Sequence, residues 1–272
     1  MEAKAIEIEG RHFAHHAVGA GPQLLLINGY AATAADWDPT MLAGLARSFE
    51  LICPDNRGVG DSELGGEPLT IDGMAADLEG LLDTLGLERV PVVGWSMGGF
   101  VAQRLVQRAP KRVERLALLS TDAGGPGAVL AAPEDWGRLT DHSGTSREQA
   151  SRLISLLFPP PVAAEIDRQF GEVVAAARAE LSLQALAAQE AAMDSWHAED
   201  GSGPAGAPEG AGALSVLIAH GSEDVVIPVA NAAVLADHWP GAEVELFAGG
   251  GHAFMAQEPQ RIAELLISFL GD

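Results

Sequence analysis

From Ile6 onward the N-terminal stretch "AIEIEGRHFAHHAVG" alternates apolar and polar residues, the two-residue period of a half-buried strand pair. "QLLLING" behaves differently: it is a continuous apolar run ended by Asn-Gly, as a strand buried on both faces requires. "ELICPD", "RVPVVGWS", "VERLALLS", "LSVLIAHG" and "AEVELFAGG" have the same character. Helical patterns lie between them. "PTMLAGLARS" is the first, "TIDGMAADLEGLLDTLG" the second with Thr70 as N-cap and Gly86 after its last turn, and "MGGFVAQRLVQRAP" the third, stopped by Pro110. Strands alternating with amphipathic helices predict an α/β fold, a mostly parallel sheet with helices on both faces.

The alternation breaks between Asp122 and Ala213. A Gly/Pro-rich opening, "DAGGPGAVLAAPEDWG", leads into "SREQASRLISLLF" and then a long Ala-rich helical run from Val162 to about Trp196. "AEDGSGPAGAPEGAGA", a composition expected to be mobile, returns the chain to strands. The organisation expected is therefore a core of residues 1–121 and 214–272 with a helical cap, 122–213, inserted between two core strands. Leu153, Leu156, Leu157 and Phe158 recur at helical spacing, as do Phe170, Val173, Val174 and Ala177, and both sets are expected mainly to pack cap on core.

Composition narrows the partners. The 272 residues are 47% hydrophobic, enough for a substantial core, while 38 acidic against 16 basic residues give a formal charge of −22. That charge repels phosphate backbones and anionic lipid, so neither nucleic acid nor a membrane surface is an expected partner. No apolar run is long enough for a membrane span, and the first residues lack a basic segment leading into an apolar one. The single cysteine, Cys53, reads as a small buried hydrophobe and suits a reducing compartment, so the cytoplasm is the expected location.

The chemistry concentrates at "GWSMG", residues 94–98, where a strand turns into a helix. Serine in such a corner has strained dihedrals, tolerable because Gly94 and Gly98 carry no Cβ to clash as strand and helix close together. The corner lifts the hydroxyl of Ser96 off the sheet and sets it at a helix N-terminus, whose free N–H groups favour developing negative charge. A serine hydroxyl is a weak nucleophile and needs a base, which in turn needs an orienting acid. "IAHGSEDVVIP" supplies Asp224 just after one strand and "GGGHAF" supplies His252 just after the next.

Together "LLLINGY", "PDNRGVGDS", "GWSMGG", "HGSEDVVIP" and "GGGHAF", in the order Ser, Asp, His, resemble the α/β-hydrolase superfamily over the whole core, the cap lying outside the resemblance. The resemblance implies Ser96 as nucleophile, His252 as general base and Asp224 as its acid, with Glu223 one residue earlier as the rival. It also implies an oxyanion hole from the backbone N–H groups of Tyr30 and Met97. Asn28 stands where the family usually has histidine, which affects the bracing of that loop more than its backbone donors. The family's D-x-R-G-x-G-x-S turn implies a structural role for "DNRGVGDS", with Asp55 pairing Arg57. Asp122, where some relatives keep the acid, is set aside in favour of Asp224. His12, His15 and His16 lack a second ligand cluster and are expected to be exposed imidazoles, with no metal.

Substrate choice is expected to lie in the cap, with Tyr30, Trp136 and Trp196 lining the pocket. The reading that follows is a cytoplasmic, cofactor-free serine hydrolase acting on an ester or lactone of a small to medium apolar compound. Hydrolysis of a carbon–carbon bond in a ring-cleavage product, or acyl transfer, would use the same residues. A small-molecule receptor on the same fold is the alternative of a different kind.

Overall fold

The computed structural model describes residues 2–198 and 214–271. Glu2–Ile8 (β1) and Arg11–Gly19 (β2) form an antiparallel hairpin closed by Glu9 and Gly10, both at positive φ as a two-residue turn between right-twisted strands requires. β2 pairs antiparallel with Glu50–Pro54 (β4), and from there the sheet is parallel. Its eight strands run β1-β2-β4-β3-β5-β6-β7-β8, with Gln23–Ile27 (β3), Val90–Trp95 (β5), Val113–Leu119 (β6), Ser215–Gly221 (β7) and Glu243–Phe247 (β8). The mostly parallel sheet expected from the alternation is the one present.

Each central strand feeds two cores. Leu25, Ile27 and Val92 face Ile71–Thr84 (α2) and Met97–Arg108 (α3), while Leu24, Leu26 and Val93 face Pro39–Leu45 (α1) and the C-terminal Pro259–Leu270, so alternate side chains of one apolar run are all fully buried. Thr70 caps α2 by accepting the Gly73 N–H at 2.9 Å, and Gly86 takes φ +68° beyond its end. Cys53 is wholly buried, and burial pushes its thiol up to about 12.

Between β6 and β7 the chain forms Pro133–Leu139 (α4), Ser146–Leu157 (α5), Pro160–Ala179 (α6) and Leu183–His197 (α7), followed after β7 by Asn231–His238 (α8), and after β8 by Phe254–Gln257 (α9) and the C-terminal helix (α10). The Ala-rich run from Val162 is thus two helices, broken at Glu180–Ser182. Helix propensity is high throughout, so the break is tertiary: Ala163 of α6 packs on the core side that holds α10, whereas Ala192, Met193 and Trp196 of α7 pack on the side that holds α3. Phe170 and Val173, expected to pack inward, stand 51% and 67% exposed because α6 turns Gly171 and Ala175 to the interior instead. The stretch 199–213, which carries the loop expected to be mobile, lies outside the described residues.

Parallel register brings the loops that matter to one end of the sheet. Ile27 is level with Gly94, Leu119 with both Trp95 and Ala219, and Gly221 with Phe247. The segments after β3, β5, β6, β7 and β8 therefore leave the sheet side by side. Successive crossovers go opposite ways from β3, which opens a crevice at the carboxyl ends of β3 and β5.

Candidate active site

Ser96 sits in that crevice as the residue before α3, with φ 55° and ψ −125°, a strained combination for a side-chain-bearing residue. Its backbone is held on three sides: its N–H donates to Leu119 O (3.0 Å), and its carbonyl accepts from Gly99 N–H and Thr121 Oγ1, both at 2.8 Å. The glycines around it are dictated by contact. A Cβ on Gly98 would lie 2.2 Å from Ile27 O, and one on Gly94 would lie 2.5 Å from Gly98 O.

His252 is buried in the loop after β8, and its Nδ1 donates to Asp224 Oδ2 at 2.8 Å. A carboxylate only accepts, so the proton of the neutral imidazole is on Nδ1 and Nε2 keeps its lone pair. Asp224 is fixed in turn, because its Oδ1 accepts the N–H groups of Val226 and Ile227, both at 2.9 Å. Burial drives the Asp224 carboxyl up, but attraction to the His252 ring in its protonated form and the hydrogen bonds from His220 and His252 outweigh it, leaving the group well below the usual carboxylate range. Glu223 is exposed, and Asp122 pairs elsewhere. Trp95 ties the imidazole to the strand that carries Ser96, its ring 5.5 Å from that of His252 and its Nε1 donating to the His252 carbonyl at 3.1 Å. Among the described residues Ser96 Oγ has no hydrogen-bond partner, so the structure joins His252 to Asp224 and leaves the serine–imidazole contact unmade.

The loop after β3 runs beside Ser96: a Cβ on Gly29 would lie 3.1 Å from Ser96 Cβ. The backbone N–H groups of Tyr30 and Met97 meet no acceptor among the described residues. Bracing comes from several directions. Asn28 Nδ2 donates to Thr33 O, which spans the loop, and Asn56 Nδ2 donates to Asn28 O at 2.8 Å. Asp55 accepts the Ala34 N–H at 2.9 Å. From the helical segment, Gln189 Oε1 accepts the Ala31 N–H (2.9 Å) and its Nε2 donates to Arg57 O (3.2 Å). The Tyr30 hydroxyl donates to Glu190, which also contacts His142 Nε2 at 2.7 Å; burial first, then Glu190, raises the phenol. None of the α7 contacts had a signal in the sequence, since those that reach the loop after β3 and Arg57 join positions 132 to 160 residues apart.

One expectation about pairing and one about exposure are corrected here. Arg57 does not pair with Asp55 but forks onto Asp77 of α2, at 2.8 and 2.7 Å, because Asp55 is already engaged by the Ala34 and Asp61 N–H groups and by His16 at 3.1 Å. His15 is buried, not exposed: β2 turns it inward between β1 and β4, and burial lowers its basicity, with Lys4 and His16 adding to the effect.

Ser96 opens onto a cavity of about 410 Å³ whose wall is mostly carbon, including Phe100, Leu130, Leu139 and Met193. Tyr30 and Trp136 line it, as expected. Trp196 does not. It is fully buried, stacked on Phe100 at 5.2 Å and with the Arg104 guanidinium 5.8 Å from its ring, because the apolar face of α7 delivers it to the core.

A family model described as the alpha/beta hydrolase fold matches residues 22–259. The chain belongs to the α/β-hydrolase family. Among relatives of this hydrolase, the 2-hydroxymuconate semialdehyde hydrolase of Pseudomonas sp. strain CF600 is 28% identical, covering 94% of this chain and 89% of the other. A hydrolase from Pseudomonas aeruginosa PA01 superimposes with a TM-score of 0.80 at 27% identity, over 99% of this chain and 98% of that one. A meta-cleavage product hydrolase from Pseudomonas fluorescens IP01 shares the fold, with a TM-score of 0.82 at 20% identity over 98% and 97%.

Proposed function

We propose that this α/β-hydrolase is a serine hydrolase that cleaves a carboxylic ester or lactone of a small to medium apolar substrate through an acyl-enzyme. The observation that carries the reading is Ser96 held at positive φ on the floor of an apolar cavity, beside an Asp224–His252 pair. Substrate binding closes the Ser96–His252 contact, as apo sites commonly tighten on complex formation. His252 Nε2 takes the Ser96 proton as Oγ attacks the carbonyl carbon. The carbonyl oxygen becomes an oxyanion facing the Tyr30 and Met97 N–H groups at the start of α3. His252 then returns the proton to the departing alkoxide, and a water deprotonated by the same nitrogen releases the acid. Asp224 holds the imidazole tautomer and stabilises the imidazolium. None of these steps calls for a cofactor, and α4–α7, as a cap over the crevice, set substrate choice. A buried, unpaired Cys53 fits a reducing cytoplasm.

Likeness to the 2-hydroxymuconate semialdehyde hydrolase favours a second reading on the same residues, hydrolysis of a carbon–carbon bond in a ring-cleavage product. Acyl transfer to an acceptor other than water would differ only in the second half-reaction. The test is intact-protein mass spectrometry after a fluorophosphonate, on the wild type and on Ser96→Ala. One stoichiometric adduct, absent from the folded variant, is expected. No adduct on folded wild type would overturn the mechanism and favour a small-molecule receptor.

A further inference from the structure

The cavity wall contains a second carboxylate–imidazole pair, distinct from Asp224 and His252. Asp122, just beyond β6, is 2% exposed; its Oδ1 accepts from Gly124 N–H (2.8 Å) and Trp196 Nε1–H (3.2 Å). His197, the last residue of α7, places Nε2 3.1 Å from both carboxylate oxygens, its ring edge-on to Phe100 at 5.4 Å. Because Asp122 only accepts, the proton it shares is on Nε2, and His197 Nδ1 has no partner among the described residues. Both residues line the cavity together with Asp194, in a wall that contains no lysine or arginine among the described residues.

Neither Asp122 nor His197 touches His252 or Asp224, so the mechanism above does not use them. Nor does stability account for the pair, since a buried ion or polar pair is seldom worth more than apolar packing of equal volume. A few polar groups in an otherwise apolar cavity are what orient a ligand. The charge balance says which ligand. Among the described residues His197 is the only basic side chain of that wall and is already matched by Asp122, so even its protonated form leaves no net positive charge, and Asp194 adds a negative one. A substrate carboxylate placed there would be desolvated without a counter-charge. A hydroxyl or an ammonium would donate to the Nδ1 lone pair and face the carboxylates favourably.

We propose that Asp122 and His197 form a substrate-anchoring subsite that takes a hydroxyl or amine on the part of the substrate that does not react, and that discriminates against a carboxylate in that position. This deepens the ester-hydrolase reading and rests on it.

The experiment compares kcat/KM for nitrophenyl esters of one chain length that end in methyl, hydroxyl or carboxylate, on the wild type, His197→Phe and Asp122→Asn. The hydroxy ester is expected to exceed the plain ester by about threefold to tenfold, the worth of one hydrogen bond in a partly dry site. The carboxylate ester is expected to fall at least about tenfold below the hydroxy ester. In His197→Phe the hydroxy-to-plain ratio drops to about one, and in Asp122→Asn it falls in the same direction. A ratio taken within one variant is independent of how much of it is folded, so a structural role alone would not move it. Preference for the carboxylate ester, or an unchanged ratio in His197→Phe, overturns the subsite. Fluorophosphonate labelling separates the two levels: a labelled wild type with a flat substrate profile sinks the subsite alone, and an unlabelled folded wild type sinks both readings.

Discussion

Replacing Gln189 with leucine is expected to slow turnover although the residue meets no substrate. Gln189 is fully buried, and its amide holds the loop after β3 through Ala31 N–H (2.9 Å) and Arg57 O (3.2 Å). Ala31 is kept at φ 55°, a conformation that costs a side-chain-bearing residue about 1–3 kcal/mol and persists only when its surroundings enforce it. Leucine keeps most of the volume and removes both hydrogen bonds, about 1 kcal/mol each, so unfolding free energy should fall by about 2 kcal/mol. At about 2–4 °C per kcal/mol, the thermal midpoint should drop by about 4–8 °C. The same 2 kcal/mol matches the strain stored at Ala31, so the peptide that carries the Tyr30 N–H would relax out of line in most molecules. At about 1.4 kcal/mol per decade, kcat should fall by about 10- to 30-fold, below the hundredfold or more expected for losing an oxyanion donor outright. KM on a short nitrophenyl ester should change little, because the cavity wall is intact. A variant that melts earlier yet keeps the wild-type kcat would refute the reasoning. It would show that Asn28, Asp55 and Asn56 position the loop unaided.

Three further outcomes test other parts of the structure. Gly98→Ala would force a Cβ to within 2.2 Å of Ile27 O, so α3 must shift off β3; a loss of about 1–3 kcal/mol in denaturant unfolding and of fluorophosphonate labelling is expected, and wild-type labelling would contradict it. Asp77→Asn leaves the guanidinium groups of Arg57 and Arg11 around a neutral partner, and unfolding should become easier by about 3 kcal/mol; a change under about 1 kcal/mol would mean that solvent already screens the pair. His15 has its basicity lowered in the folded chain, so as pH falls below about 6.5 the unfolded chain takes up a proton first and stability present above that pH is lost. His15→Gln should therefore show a smaller drop in thermal midpoint between about pH 7.5 and about pH 5.5 than the wild type does, and equal drops would refute the assignment.

The strands and the serine corner are legible along the chain because each depends on neighbours in sequence. Apolar runs such as "QLLLING" can only be buried on both faces, and "GWSMG" needs its glycines where strand meets helix. Thr70 and Gly86 mark the ends of α2 for the same reason, their side-chain and φ requirements being local. The family resemblance added the assignment of Asp224 over Glu223, and the structure puts the first on His252 and the second in solvent.

Choice among partners was not legible in this way. Asp55 and Arg57 are two residues apart and of opposite charge, yet Arg57 reaches Asp77 because the turn spends the Asp55 oxygens on backbone N–H groups. Trp136 and Trp196 are alike in sequence, but only the first lines the cavity, since the rotation of α7 on α3 decides which aromatic faces inward. The Ala-rich run carries no local stop, and its break reflects two helices buried against opposite sides of the core.

By itself, then, the sequence determined the α/β alternation, the strained serine at a helix start and the spacing of acid and histidine after successive strands, all set by backbone sterics and hydrophobic period within a few residues. Only the tertiary structure decided that α7 would reach across to brace the loop after β3 through Gln189 and Glu190, and that Asp122 would meet His197 and not His252. Those contacts join residues from about 75 to 160 positions apart, and their geometry depends on how whole helices pack, which no local pattern encodes.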